Sequence, residues 1–133
     1  TMRAAMQLAL KDAAISPDLI GHVNAHATAT RQGDVAESMA THEIFGSQTP
    51  VSSYKGYLGH TLGACGALES LISVMMMNEG LFYPNLNLRD IDPQCAPLRY
   101  LTKPQEIKTD YVMNNNFAFG GVNTSLIFKK FID

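Results

Sequence analysis

The chain has 133 residues, of which 46% are hydrophobic and 17% charged, and ten Lys and Arg stand against twelve Asp and Glu for a net charge of −2. That size supports one domain with a genuine core, and the composition excludes a disordered or low-complexity chain. No basic block is present that could neutralise a run of phosphates, which excludes nucleic acid as a partner. Cys65 and Cys95 lie far apart with no Cys-x-x-Cys pair, excluding a disulfide scaffold and a cysteine-only zinc site and fitting a reducing cytoplasm.

In chain order, Met2, Met6, Ala9, Leu10 and Ala13 recur at helical spacing and predict a helix over 2–14, broken by Ser16-Pro17-Asp18. Lys11 and Asp12 interrupt this stretch, so it does not read as a signal peptide. The opening Thr1-Met2-Arg3 looks like mid-helix, the expectation for a piece cut from something longer. Residues 22–26 follow Gly21 and read as a buried strand. A second helix is expected over 35–45, with Asp34 as its N-cap and Glu37 completing a capping box. Residues 51–54 form another short strand, and a Gly-rich loop covers 55–60.

The third helix, 62–79, is the least charged segment. Gly63, Ala64, Cys65, Gly66 and Ala67 would let another backbone approach, while Leu68, Leu71, Ile72, Met75 and Met76 supply bulk, so it is expected to be the central buried helix. Glu69 at its middle argues against a membrane span. Pro84, Pro93 and Pro97 punctuate a long connection. Two final strands, 111–115 and 123–131, flank Phe117-Ala118-Phe119-Gly120-Gly121 and would pair as a hairpin. The order predicts an α/β domain with a layered mixed sheet, a buried central helix and covering helices.

Three loops carry polar and catalytic side chains. The first places His26 beside Thr28 and Thr30. The second brings Lys55 and His60 to the start of the apolar helix, where backbone N–H groups favour negative charge. The third combines Phe117 and Phe119 with glycines that permit close backbone approach. Each follows a strand, and in open α/β sheets such loops converge on a cleft. A zinc site from His22, His26, His42 and His60 fits poorly, because His22 and His26 are four residues apart on one strand. His22 and His42 read as ordinary polar residues, Met75-Met76-Met77 as core, and Cys65 and Cys95 as inert.

Asn24-Ala25-His26-Ala27-Thr28-Ala29-Thr30, with Gly33-Asp34 and Glu37, resembles the N-A-H-G-T-x-T…G-D…E motif of β-ketoacyl-acyl-carrier-protein synthases. Val51-Ser52-Ser53-Tyr54-Lys55 with Gly59-His60-Thr61-Leu62-Gly63-Ala64-Cys65-Gly66-Ala67 and Glu69 resembles their V-S-S-x-K…G-H-x-x-G-A-x-G-A-x-E motif. Asn115-Asn116-Phe117-Ala118-Phe119-Gly120-Gly121-Val122-Asn123 is similar to their N-S-F-G-F-G-G-T-N loop. The three stand in the family's order and cover essentially the whole chain. Ala27 and Ala118 replace the family's usual glycines, Val122 its threonine, and Tyr54 and Leu58 smaller or hydroxylated residues.

The resemblance implies a thiolase-like fold of two similar halves, of which 1–133 is the C-terminal one, and a decarboxylative Claisen condensation on malonyl and acyl thioesters. His26 and His60 would donate hydrogen bonds to the malonyl thioester oxygen, both neutral and protonated at Nε2. Lys55 would sit near His60 and Glu69, favour the neutral imidazole by repelling a second positive charge, and pair with Glu69. Thr28 and Thr30 would bind the phosphopantetheine arm of acyl carrier protein, with no other cofactor held by the chain. Phe119 would gate the acyl pocket and lend its N–H to an oxyanion hole, with Phe117 and Gly120 lining the site and Asp34 and Glu37 supporting it. The resemblance further implies acyl carrier protein and the N-terminal half as partners, a homodimer for the intact enzyme and a cytoplasmic setting. The family's nucleophilic cysteine belongs to the other half, so the isolated chain is expected to be inactive. A chain-length-factor-like partner subunit and a thiolase are the alternatives.

Overall fold

The fold, taken from a computed structural model that describes residues 1–131, is a mixed sheet with helices on both faces. Helix α1 spans Met2–Ala13, strand β1 His22–Asn24, helix α2 Arg31–Phe45 and strand β2 Pro50–Ser52. A helical turn α3, Lys55–Leu58, and the long helix α4, Cys65–Glu79, follow. The short strands β3 (Leu81–Phe82), β4 (Arg99–Tyr100) and β5 (Gln105–Glu106) occupy the proline-punctuated connection, and β6 (Tyr111–Phe117) and β7 (Asn123–Lys129) close the chain.

The main sheet has the order β4-β2-β1-β6-β7, with β3 and β5 forming a separate antiparallel pair. Its first four strands are mutually parallel, and β7 runs antiparallel to β6 as the expected hairpin. Val23 lies opposite Val51 and Met113, and Asn24 opposite Ser52 and Asn114. Because β1, β2 and β6 point the same way in this register, the loops that leave them emerge along one edge of the sheet.

The two-residue strand period sorts the core into two clusters. Val23, Val51 and Met113 face α1 and α2, where they pack with Met6, Leu10, Ile20, Ala25 and Phe45. Val112 faces the other way and joins Tyr54, Met76, Met77, Phe82 and Leu101.

Several boundaries differ from expectation. β1 stops at Asn24, two residues short of His26, and the chain then turns through the left-handed residues Ala27 and Ala29. α2 begins at Arg31 with Thr30 in the cap position, so Asp34 lies inside the helix and is not its N-cap. Residues 55–58 form α3 within the segment expected as loop, and 62–64 make a 3₁₀ turn ahead of α4. The last strand ends at Lys129, short of Phe131. The expected burial of the third helix holds on one face only: Cys65, Glu69, Ser73, Met76 and Met77 are buried. On its other face Leu68, Leu71 and Met75 are 40, 59 and 51% exposed. No helix among the described residues is long and apolar enough to cross a membrane.

His22 is a core residue, contrary to its reading as an ordinary polar side chain. It is fully buried at the start of β1, its Nε2 2.7 Å from Ser52 Oγ on β2 and its ring centroid 4.7 Å from that of Phe82. Burial pushes its pKa down to about 3. The unfolded chain therefore takes up a proton near pH 6.5 that the folded chain refuses, and stability falls as pH drops from about 6.5 towards 3. Going from pH 6.5 to 4.5 should cost ~2 kcal/mol of folding free energy through this residue alone. Urea unfolding at the two pH values should show that loss in the wild type and a clearly smaller one in His22→Gln.

Candidate active site

The edge of the sheet where β1, β2 and β6 end carries the site. His26 lies two residues beyond β1 and His60 two beyond α3. Their rings approach edge-on, with centroids 5.3 Å apart and planes at 88°. Phe117, the last residue of β6, is buried and stands 6.1 Å from the His26 ring. Each of the three loops thus contributes a ring to one cluster.

The two imidazoles are fixed differently. His60 accepts a hydrogen bond at Nδ1 from the Leu62 N–H, at 3.3 Å. A neutral ring with Nδ1 accepting carries its proton on Nε2, leaving that nitrogen free to donate. Leu62 itself sits at φ 53, a left-handed conformation uncommon for leucine. His26 encloses Nδ1 without a partner. Its pKa falls to about 4 because of burial first, then the Lys55 ammonium and His60, against an opposing pull from Glu69. The ring is uncharged throughout the neutral range.

Behind the imidazoles lies a buried ion pair. Lys55 Nζ donates to Glu69 Oε1 at 2.6 Å, and both side chains are almost wholly enclosed. The second carboxylate oxygen accepts from Asn116 Nδ2 at 2.8 Å, and Cys65 Sγ lies 3.2 Å from Oε1. Cys65 therefore belongs to this network, a contact its small-residue helix position does not suggest. Burial raises its thiol pKa, the opposite of what a nucleophile requires. Gly66 permits the close approach: a Cβ there would meet Asn116 Oδ1 at 2.9 Å.

An asparagine ladder ties these elements together. Asn24 donates to Asn114, whose own amide reaches Ser70 Oγ at 2.9 Å and the Gly66 carbonyl at 3.2 Å. Asn24, Asn114 and Asn115 are buried. The sequence carries a signal for this, since three consecutive asparagines inside a strand run against strand preference.

The remaining residues support or border the cluster. Thr28 and Thr30 bring their hydroxyls to 3.0 Å of each other. Glu37 makes no capping box; it is buried and accepts from the His26 N–H at 2.7 Å and the Ala27 N–H at 2.8 Å. Asp34 encloses Oδ1 without a partner, and burial raises its pKa. Phe119 is fully exposed and packs on none of these rings, while Gly120 takes a left-handed φ of 79. Of the expected residues, His26, His60, Lys55, Glu69, Glu37 and Phe117 form the cluster, and Phe119 projects away from it.

Fold and site together define a thiolase-like half-fold with two facing imidazoles. Residues 1–89 match the family described as beta-ketoacyl synthase, C-terminal domain. The chain is 38% identical over 115 residues to 3-oxoacyl-[acyl-carrier-protein] synthase 1 of Escherichia coli (strain K12), a match over 86% of this chain and 28% of that protein. It superposes with a TM-score of 0.96 and 55% identity on the crystal structure of a beta-ketoacyl synthase from Burkholderia phymatum, covering 98% of this chain and 32% of that one. The ishigamide ketosynthase/chain length factor gives a TM-score of 0.93 at 32% identity over 98% of this chain and 32% of its own. The chain belongs to the beta-ketoacyl synthase family, and it spans about a third of the length of these relatives.

The ion pair makes a sharp stability prediction. Glu69→Ala leaves the Lys55 ammonium buried without its carboxylate and should cost ~3–5 kcal/mol in denaturant unfolding. Lys55→Met combined with Glu69→Leu removes both charges and should recover most of that loss.

Proposed function

We propose that this chain supplies the decarboxylating half of a 3-oxoacyl-[acyl-carrier-protein] synthase. The observation that carries the reading is the pair of imidazoles, ring centroids 5.3 Å apart, one following β1 and the other following α3, with His26 held neutral by burial and by Lys55. Two neighbouring imidazole N–H groups suit an oxygen that gains negative charge.

In this mechanism a malonyl group, carried as a thioester on the phosphopantetheine arm of acyl carrier protein, binds with its thioester oxygen between His26 and His60. The bond to its carboxylate carbon breaks, carbon dioxide leaves, and the electron pair passes into an enolate whose oxygen the two imidazoles stabilise. The enolate carbon then attacks the thioester carbon of an acyl group bound to a cysteine, and that cysteine leaves as a thiolate. Burial and then Lys55 keep His26 uncharged, so that it donates a hydrogen bond without giving up a proton. Thr28 and Thr30, with hydroxyls side by side, suit the amides of the pantetheine arm. The exposed loop at Phe119–Gly121 offers its backbone N–H groups and the Phe119 ring as a movable wall for the acyl group.

Neither cysteine suits the nucleophile: Cys65 is buried against Glu69 with its pKa raised, and Cys95 lies in the connection beyond β3. The acyl-bearing cysteine is assigned to an N-terminal half, the intact enzyme to a homodimer and its setting to the cytoplasm. Residues 1–133 alone should then show no condensation. Similarity to a ketosynthase/chain length factor favours one alternative, a non-catalytic partner subunit. Retention of His26, His60 and Lys55 speaks against it, since a subunit without chemistry needs no paired donors.

In the protein joined to its cysteine-bearing half, His60→Ala should lower the rate of malonyl-carrier-protein decarboxylation ~10²–10³-fold, the usual effect of losing one oxyanion donor. Carbon dioxide release measured with labelled malonyl thioester reads this directly, and an unchanged rate removes His60 from the mechanism. A polypeptide with no cysteine-bearing homologous half upstream of Thr1 would favour the non-catalytic reading.

A further inference from the structure

The loop that carries His26 is held from beneath by one side chain. Glu37 is 3% exposed, has no cation within ion-pair distance among the described residues, and commits one carboxylate oxygen to each of two consecutive amides, those of His26 and Ala27. The backbone it grips is strained: Ala27 stands at φ 31 and Ala29 at φ 59, in the left-handed region that side chains with a Cβ avoid. A 440 Å³ cavity between α2 and the connection that follows β3 has Glu37, Ala27 and Ala29 among its walls, and gives protons a route to the carboxylate.

We propose that Glu37 is a proton-controlled clamp on the His26 loop: as a carboxylate it holds both amides and the strained backbone closed, and as a carboxylic acid it releases one amide and lets the His26 ring move away from His60. One proton from solvent is taken up and nothing else changes hands. The chemistry follows from hydrogen-bond capacity. A carboxylate accepts at both oxygens, whereas the acid turns one oxygen into an O–H donor that opposes an N–H.

The groups that face Glu37 set where this happens. Burial is the largest influence and favours the acid; the two amide bonds and the Lys55 ammonium favour the carboxylate, and Asp34, one turn earlier on α2, opposes it. Together they bring the Glu37 pKa up to about 7. Tyr100, on the far wall, has its pKa raised by burial to about 12 and keeps its proton at neutral pH. Arg31, Asp90, Asp92 and Cys95 border the same cavity. His26, with a pKa of about 4, stays neutral on both sides of the transition. Burial makes closing the clamp unfavourable in itself, and a device balanced in this way responds to pH.

This inference rests on the reading of His26 as a working donor, and its test separates the two. Protein labelled with ¹⁵N and ¹³C is titrated by NMR from pH 5 to 9. The Glu37 Cδ resonance and the His26 and Ala27 amides should move together with a midpoint of about 7. A Cδ midpoint below about 5, the range of an ordinary carboxylate, or amides that ignore it, overturns the clamp. Glu37→Gln should hold both amides at their low-pH positions throughout, and persistence of the transition in that variant overturns it equally. Should the amides titrate as expected while His26→Ala leaves malonyl decarboxylation intact, the clamp stands and the donor role of His26 falls.

Discussion

A charge buried in an apolar helix must find its opposite, and much of this site is arranged around that requirement. Glu69 enters from α4 and Lys55 from the first turn after β2, so their ion pair joins two elements separated by a loop and a 3₁₀ turn. Asn116 completes the carboxylate's coordination and draws in β6. The lysine also lies close enough to His26 to disfavour its protonation. One pair therefore aligns the second and third loops and sets the electrostatics of the first. Breaking it would expose a bare charge to a low-dielectric interior, so the geometry is enforced far more strictly than a surface pair would enforce it.

The sheet register adds the second constraint. Parallel strands in step deliver their trailing loops to a common edge, and the row Ser52, Asn24 and Asn114 crosses the sheet just beneath that edge. Polar side chains at a sheet centre are costly unless satisfied: Ser52 bonds to His22, and the bonds among Asn24, Asn114, Ser70 and the Gly66 carbonyl satisfy the two asparagines while pulling α4 onto β6. The asparagines thus position the helix that presents Glu69. Structure and site are held by the same bonds.

The sequence displays much of this and conceals some of it for definable reasons. The helix over Met2–Ala13, the terminal hairpin and the meeting of His26, His60 and Lys55 follow from periodicity, turn residues and motif order. The start of α2 is masked because Gly33 resembles a helix boundary, although the helix runs through it from Arg31. Glu37 at N-cap spacing imitates a capping box, and only the folded chain reveals that its carboxylate reaches back to the preceding loop. His22 reads as polar because a single histidine gives no sign that Ser52 and two aromatic rings enclose it. Phe119 shows the limit of motif reading: its neighbourhood in the chain is recognisable, but no side chain of residues 1–131 covers its ring.

Helix α4 also carries two populations of apolar residue. Met76 and Met77 are fixed by the chain's own interior, whereas Leu68, Leu71 and Met75 stand on the outer row. The first group answers to folding and the second does not. Substitutions along the outer row would pass through a screen for folded protein almost silently, while a single enlarged side chain on the inner row would be rejected at once. The helix is thus a surface on which selection for stability acts from one side only, and whatever keeps the outer row apolar is a requirement separate from this chain's ability to fold.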